Sequence, residues 1–275
     1  MITDIEAIKG VDIMLSTPII VACILVMVTA AFLLIVQKTS ANVIPGATKY
    51  TNREPTFIIA GLPNTGKTSL FNLLTTDSNH ATVMSQEPNI AEDYMLPSSH
   101  KNFKFKLIDY PGHAKFRSDL LQTIRESTQL RGLIYVIDAT VDPKELTSTA
   151  ELLYEILCVT ETRPGGVDIL LACNKAESFV ARPPLKIKDA SETEITEIIK
   201  RRVKSLKVNS KKATRGSSDD DEDDEDAGHD LMALHQSSSG FEFDRIDGNV
   251  DAVGGSVLKK DIDKWECWID ERAMN

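Results

Sequence analysis

Eight residues constrain this chain more than any others: Gly61-Leu62-Pro63-Asn64-Thr65-Gly66-Lys67-Thr68, the pattern GxxxxGK[ST]. An apolar, β-branched run, Thr56–Ala60, precedes them, and a helical pattern, Thr68–Thr75, follows. A loop between strand and helix aims several backbone N–H groups at one point, where the helix N-terminus also attracts an anion. Gly61 and Gly66 let the backbone wrap tightly, Lys67 brings charge to β and γ phosphates, and the Thr68 hydroxyl suits Mg²⁺. The whole run from Gly61 to Ser69 is therefore expected to hold the phosphates of a nucleotide.

Beyond that loop the chain alternates between strand and helix patterns. Thr56–Ala60, Phe103–Ile108, Leu133–Ile137 and Ile169–Cys173 read as strands; Leu120–Gln129 and Glu145–Val159 read as helices. Such alternation implies a mostly parallel sheet covered on both faces. Lys104 and Lys106 interrupt Phe103–Ile108, which suits a strand next to an edge. Residues 186–206 read as a charged helix, a strand is expected near Phe241, and Ile262–Ile269 closes the chain as an amphipathic helix.

Two further motifs lie at strand ends. Asp109-Tyr110-Pro111-Gly112-His113 follows Phe103–Ile108. A carboxylate there suits Mg²⁺, directly or through water. The Gly112 amide could meet a γ-phosphate, and His113 stands where a catalytic group would orient the attacking water. The bland alternative is a strand-terminating turn. Asn174-Lys175-Ala176-Glu177 follows Ile169–Cys173 and is similar to the guanine-reading NKxD pattern. A carboxylate accepts two hydrogens from guanine, and adenine offers no matching pair. Glu177 is one methylene longer than Asp, so its reach differs. The expected ligands are thus GTP and Mg²⁺. Thr82 is the first candidate for a switch threonine touching Mg²⁺ and the γ-phosphate, with Ser85 as competitor. Ser256 is expected to bring a backbone amide to the base.

Ile19–Val36 is eighteen residues without a charge, roughly 27 Å as a helix. A core helix would show a polar face, and a signal peptide would begin with basic residues. Residues 13–37 are therefore expected to cross a membrane as one N-terminal transmembrane helix. Lys9 precedes the run while Lys38, Lys49 and Arg53 follow it, which makes 1–12 luminal, 38–52 a linker and 53–275 a cytosolic domain. The four cysteines form no CxxC pair and no N-x-Ser/Thr acceptor is present, in keeping with a reducing compartment. Of the formal charge of −10, eight units come from Asp219–Asp226 alone. The near-neutral remainder offers no footprint for direct nucleic-acid binding. That acidic run lies in a stretch too polar to bury a core, read as a disordered insertion over about 208–239.

Several strings go beyond any generic nucleotide-binding pattern: Thr82–Pro88 (TVMSQEP), Asp109–His113 (DYPGH), Thr140–Lys144 (TVDPK), Ala172–Glu177 (ACNKAE) and Ala181–Ala190 (ARPPLKIKDA). On these the chain resembles the fungal β subunits of the signal recognition particle receptor, Arf-like members of the P-loop small-GTPase fold. The resemblance implies an α/β domain behind a transmembrane anchor at the endoplasmic reticulum. It also implies a heterodimer with the receptor α subunit, with ribosome or translocon as further candidate partners, and a GTP-dependent assembly switch with slow hydrolysis. Two rivals are a vesicle-trafficking GTPase of the Arf/Sar type and an anchor whose nucleotide is structural. Arf-type proteins use a reversible helix or a myristoylated glycine after Met1, where this chain has Ile2.

The apolar run generates the first prediction. Alkaline carbonate extraction is expected to leave the full chain in the membrane pellet, and recovery in the supernatant would refute the span.

Overall fold

The computed structural model describes residues 55–77, 82–96, 103–142, 146–213 and 240–274, together with Leu25 and Thr29, the last two in helical conformation. The chain divides into two units, Met1–Thr51 and Asn52–Asn275. Apart from Leu25 and Thr29, the expected span at 13–37 lies outside the described residues, as do the segment 1–12, the linker 38–52 and residues 214–239 of the acidic insertion. Among the described residues no helix is long and apolar enough to cross a membrane.

Among the described residues the second unit has six strands: β1 Thr56–Ala60, β2 Asn89–Tyr94, β3 Phe105–Asp109, β4 Leu130–Asp138, β5 Ile169–Asn174 and β6 Val250–Gly254. Five helices accompany them: α1 Lys67–Thr76, α2 Arg117–Glu126, α3 Leu146–Thr160, α4 Pro184–Ala213 and α5 Asp263–Ala273. The sheet order is β2-β3-β1-β4-β5-β6, parallel except for the antiparallel pair β2–β3. This is the expected α/β arrangement, with β3 next to an edge.

Side chains alternate across the sheet, so each central strand feeds two cores. Ile58, Tyr135 and Leu171 face one side with Ile124, Leu153 and Ile195 from α2, α3 and α4. Phe57, Ile134 and Leu170 face the other with Leu70 from α1 and Trp265 and Trp268 from α5. The strands between are apolar on both faces, as parallel strands covered by helices must be.

Two elements differ from the sequence reading. β2 has no apolar alternation. As an edge strand it is held by the ladder to β3 and by cross-strand ion pairs, Lys104–Asp93 at 3.2 Å and Lys106–Glu92 at 3.1 Å. No strand forms at Phe241. Phe241 and Phe243 stack edge to face and bury against α4, while their backbone amides donate to Thr196 Oγ1 and Glu192 Oε1, both at 2.9 Å. Side chains of α4 thus replace a strand partner, and the strand comes later as β6. α4 itself runs past residue 206 to Ala213 and begins at Pro184, a residue that tolerates the first turn.

Trp268 closes the second core. Its ring lies edge-on to Phe57 at 6.5 Å, its Nε1 donates to Asp251 Oδ2 at 2.9 Å, and Arg272 stacks on it at 4.3 Å. Gly132 on β4 makes room, since a Cβ there would stand 2.7 Å from the Trp268 ring. Trp268→Ala is expected to destabilise the domain by about 3–5 kcal/mol. Equilibrium urea unfolding checks this, and a loss far below that range would mean that α5 is not part of the cooperative core.

Candidate guanine-nucleotide site

All six strands but β2 point their C-terminal ends at one rim, and the loops there surround a cavity of about 390 Å³. That size suits a nucleotide-scale ligand. Pro63, Asn64, Gly66, Lys67, Thr68 and Ser69 line it at one end; Asn174, Lys175 and Glu177 line it at the other. Thr82, Ser85 and Gly112 complete the wall, joined by Val257 and Leu258 from the loop after β6. Gly61, Leu62 and Thr65 form the loop's inner framework instead. Gly61 starts the wrap at φ 143°, and Thr65 Oγ1 donates to Leu62 O at 3.0 Å.

The loop is braced from below. Asn174 is nearly fully buried; its Nδ2 donates to Thr65 O at 2.8 Å and its Oδ1 accepts from Val257 N at 3.1 Å. Gly66 has φ 96°, and a Cβ there would lie 2.3 Å from Asn174 Nδ2. Conformation and space therefore both require glycine at this point. Gly112 approaches from the opposite side, where a Cβ would meet Lys67 Nζ and Pro63 N at 2.6 Å.

Lys67 is buried and donates to Leu62 O at 2.6 Å. Burial pushes its ammonium down to about 8, with Asp109 opposing part of the shift. Burial likewise pushes the Asp109 carboxyl up, against the Asn89 and Thr68 hydrogen bonds and the Lys67 charge. Asp109 Oδ2 accepts from Thr68 Oγ1 at 2.8 Å, while its buried Oδ1 has no partner among the described residues. A buried anionic oxygen left in this state is costly, and a cation or its water would satisfy it. Thr68 and Asp109 thus fit Mg²⁺. Glu177 has the same signature at the far end, with Oε2 buried and unpartnered. That acceptor fits the hydrogen pair that guanine presents.

Other site residues have distinct settings. Thr82 Oγ1 lies 3.0 Å from Ser69 Oγ, whereas Ser85 Oγ lies 3.1 Å from Thr68 Oγ1, beside the metal-type oxygens. The Ser256 amide, expected to meet the base, donates to Asp261 O at 2.9 Å, and the neighbouring Val257 and Leu258 line the cavity instead. His113 is exposed, and its Nδ1 accepts from Lys115 N at 3.1 Å, capping the short turn Ala114–Phe116. It borders a narrow depression with Tyr110, Arg117 and Leu152, which shares Pro111 and Gly112 with the nucleotide cavity but lies beside it. Sequence reasoning missed Asp138, which pairs with Lys175 and accepts from Thr140 N at 2.9 Å. Burial alone would raise the Asp138 carboxyl, but the Lys175 and Thr140 hydrogen bonds hold it below its ordinary range. Its place at a strand end beside the NKAE strand was the signal that could have found it.

Lys67 makes the site sensitive to pH. A phosphate beside the ammonium raises its pKa, so binding takes up a proton wherever the free protein has released it. Nucleotide affinity is therefore expected to be full below pH 8 and to fall above it, approaching about tenfold per pH unit until the bound-state pKa is reached. By the same linkage the ligand-free fold gains stability from about pH 8 toward 10.5, where only the unfolded chain keeps the proton. Fluorescent-nucleotide titrations across this range check the first effect, with Lys67→Arg flattening the profile. A flat wild-type profile would overturn it.

Comparison with known proteins agrees with this geometry. The family model described as signal recognition particle receptor beta subunit matches residues 52–250. The signal recognition particle receptor subunit beta of Saccharomyces cerevisiae is 45% identical over 263 residues, covering 94% of this chain and all of that protein. Among solved structures, the receptor protein SRb with GDP and Mg from Chaetomium thermophilum is 25% identical, with a TM-score of 0.58 over 80% of this chain and 97% of that one. The SRb-GTP/SRX complex from the same organism is 22% identical with a TM-score of 0.62, covering 79% of this chain and all of that one, a likeness of fold. A parallel sheet with its phosphate loop braced by the NKAE strand, together with a match running nearly end to end, makes this chain a member of the signal recognition particle receptor beta subunit family.

Proposed function

We propose that this chain is the GTP-binding subunit that holds the receptor α subunit at the endoplasmic reticulum for co-translational protein targeting. One observation carries the reading. A single cavity is lined by the phosphate-loop residues Lys67 and Thr68 at one end and Glu177 at the other; Asp109 stands behind Thr68, and Asp109 Oδ1 and Glu177 Oε2 are both buried without a partner among the described residues. Lys67, Thr68 and Ser69 with the loop amides hold phosphate, Thr68 and Asp109 hold Mg²⁺, and Glu177 selects guanine with Asn174 and Lys175 shaping its approach. Bound Mg²⁺ neutralises charge between the β and γ phosphates.

The switch segments border that cavity. Ser85 is the switch residue we favour over Thr82, because it already contacts Thr68. Gly112 senses the γ-phosphate from the other side. Ordering of these segments by GTP creates a surface for a partner, and the related SRb from Chaetomium thermophilum is bound to both GTP and SRX. Hydrolysis is slow in this reading. His113 is assigned to orient water, its Nδ1 being engaged by Lys115 N.

Family membership associates the chain with the endoplasmic reticulum membrane. The finer arrangement, a single span at 13–37 with a cytosolic domain, rests on the apolar run and the basic residues after it.

Affinity capture of the full-length chain in detergent, loaded with GTP or GDP, tests the function. The α subunit is expected in the GTP sample and depleted at least about tenfold in the GDP sample, as a coupling of roughly 1.4 kcal/mol would give. Equal capture in both would favour a structural nucleotide, and vesicle-coat proteins in place of the α subunit would favour the trafficking reading.

A further inference from the structure

Asp109 presents its two oxygens unequally. Oδ2 accepts from Thr68 Oγ1 at 2.8 Å and from Asn89 Nδ2 at 2.9 Å; Oδ1 is buried and accepts from nothing among the described residues. Asn89 is the first residue of edge strand β2, directly opposite Asp109 in the antiparallel ladder with β3. Opposed residues on such a ladder have their side chains on one face within contact distance. Asn89 Nδ2 also lies 3.2 Å from Ser85 Oγ, which in turn meets Thr68. One amide therefore touches both the carboxylate and the segment that lines the cavity beside it.

We infer that Asn89 is a positioning residue for Asp109, fixing the carboxylate so that Oδ1 faces the Mg²⁺ site. The inference rests on the GTP- and Mg²⁺-binding reading above. When Thr68 gives a lone pair of its hydroxyl oxygen to a cation, its hydrogen can still be donated to Asp109 Oδ2. Asn89 is the second donor on Oδ2, and two donors on one oxygen restrain the carboxylate from rotating about its Cβ–Cγ bond better than Thr68 does by itself. Carboxylates that serve metals depend on hydrogen bonds of this kind, because a free carboxylate must lose rotational freedom on binding. Asn89 belongs to the edge strand and reaches the phosphate loop only through Asp109 and Ser85, so its loss should alter Mg²⁺ affinity far more than the loop's own grip on phosphate.

The test measures release of a fluorescent GDP analogue from the full-length chain in detergent, across buffered Mg²⁺ concentrations and in EDTA. Asn89→Leu removes the donor at similar volume. Asn89→Ala is the second variant, readily tolerated at an edge strand. Either is expected to raise the Mg²⁺ concentration that half-slows release by about tenfold or more, as loss of a hydrogen bond to a metal-binding carboxylate does. Release in EDTA should match wild type. An unchanged half-effect concentration overturns the inference, and so does faster release of the same degree in EDTA, which would mean that Asn89 supports the phosphate loop. Wild-type release that ignores Mg²⁺, or failure of the wild type to bind guanine nucleotide, would instead remove the underlying reading together with the inference.

Discussion

A single buried amide joins the parts of this site. Asn174, at the end of β5, donates to the carbonyl of Thr65 and accepts from the amide of Val257. Inside a nearly water-free setting those two bonds cannot be exchanged for solvent, so losing either would strand a polar group. The phosphate loop, the base-side strand and the loop after β6 are thereby held at set distances. Gly66 fits only because its missing side chain leaves space for that amide. The polar geometry of the cavity follows from this contact more than from any residue that faces a ligand.

Around that brace the sheet works as a device for concentrating charge where water is scarce. Lys67 and Asp109 are both buried and both pushed toward their neutral forms, each restraining the other. Neither is fully satisfied by the protein alone: Asp109 keeps one unpartnered oxygen, and Lys67 turns back on its own loop through Leu62. Lys175 is directed differently, to Asp138 at the end of the neighbouring strand. Two lysines and two aspartates thus occupy one rim, Lys175 and Asp138 in direct contact and Lys67 and Asp109 acting on each other through their charges.

Most of this could be read from the sequence wherever function depends on neighbours along the chain. The Gly61–Thr68 loop, Asp109–His113 and Asn174–Glu177 are short strings at strand ends, and burial of β1, β4 and β5 on both faces left continuous apolar runs. Contacts across the chain left no such mark. β2 is polar and unalternating because only one edge of it is paired, so Asn89 could not be matched with Asp109 beforehand. The Ser256 amide, expected to face the base, is engaged by Asp261 in a tight turn, and Val257 and Leu258 line the cavity there. The strand expected at Phe241 is absent because two side chains of α4 supply what a neighbouring strand would have supplied.

The placement of Trp268 against Phe57 also has a consequence for the order in which the molecule can be made. A ribosome delivers β1 and the phosphate loop well before the β6 loop and α5. Until then the Phe57 face of β1 has only the part of its cover that α1 supplies, and Asn174 lacks its Val257 partner. Contacts so distant along the chain form slowly, because a long loop must close before they repay the cost. The phosphate loop therefore emerges well before the elements that fix it, and a nascent chain would acquire its grip on nucleotide only once those later elements have been made.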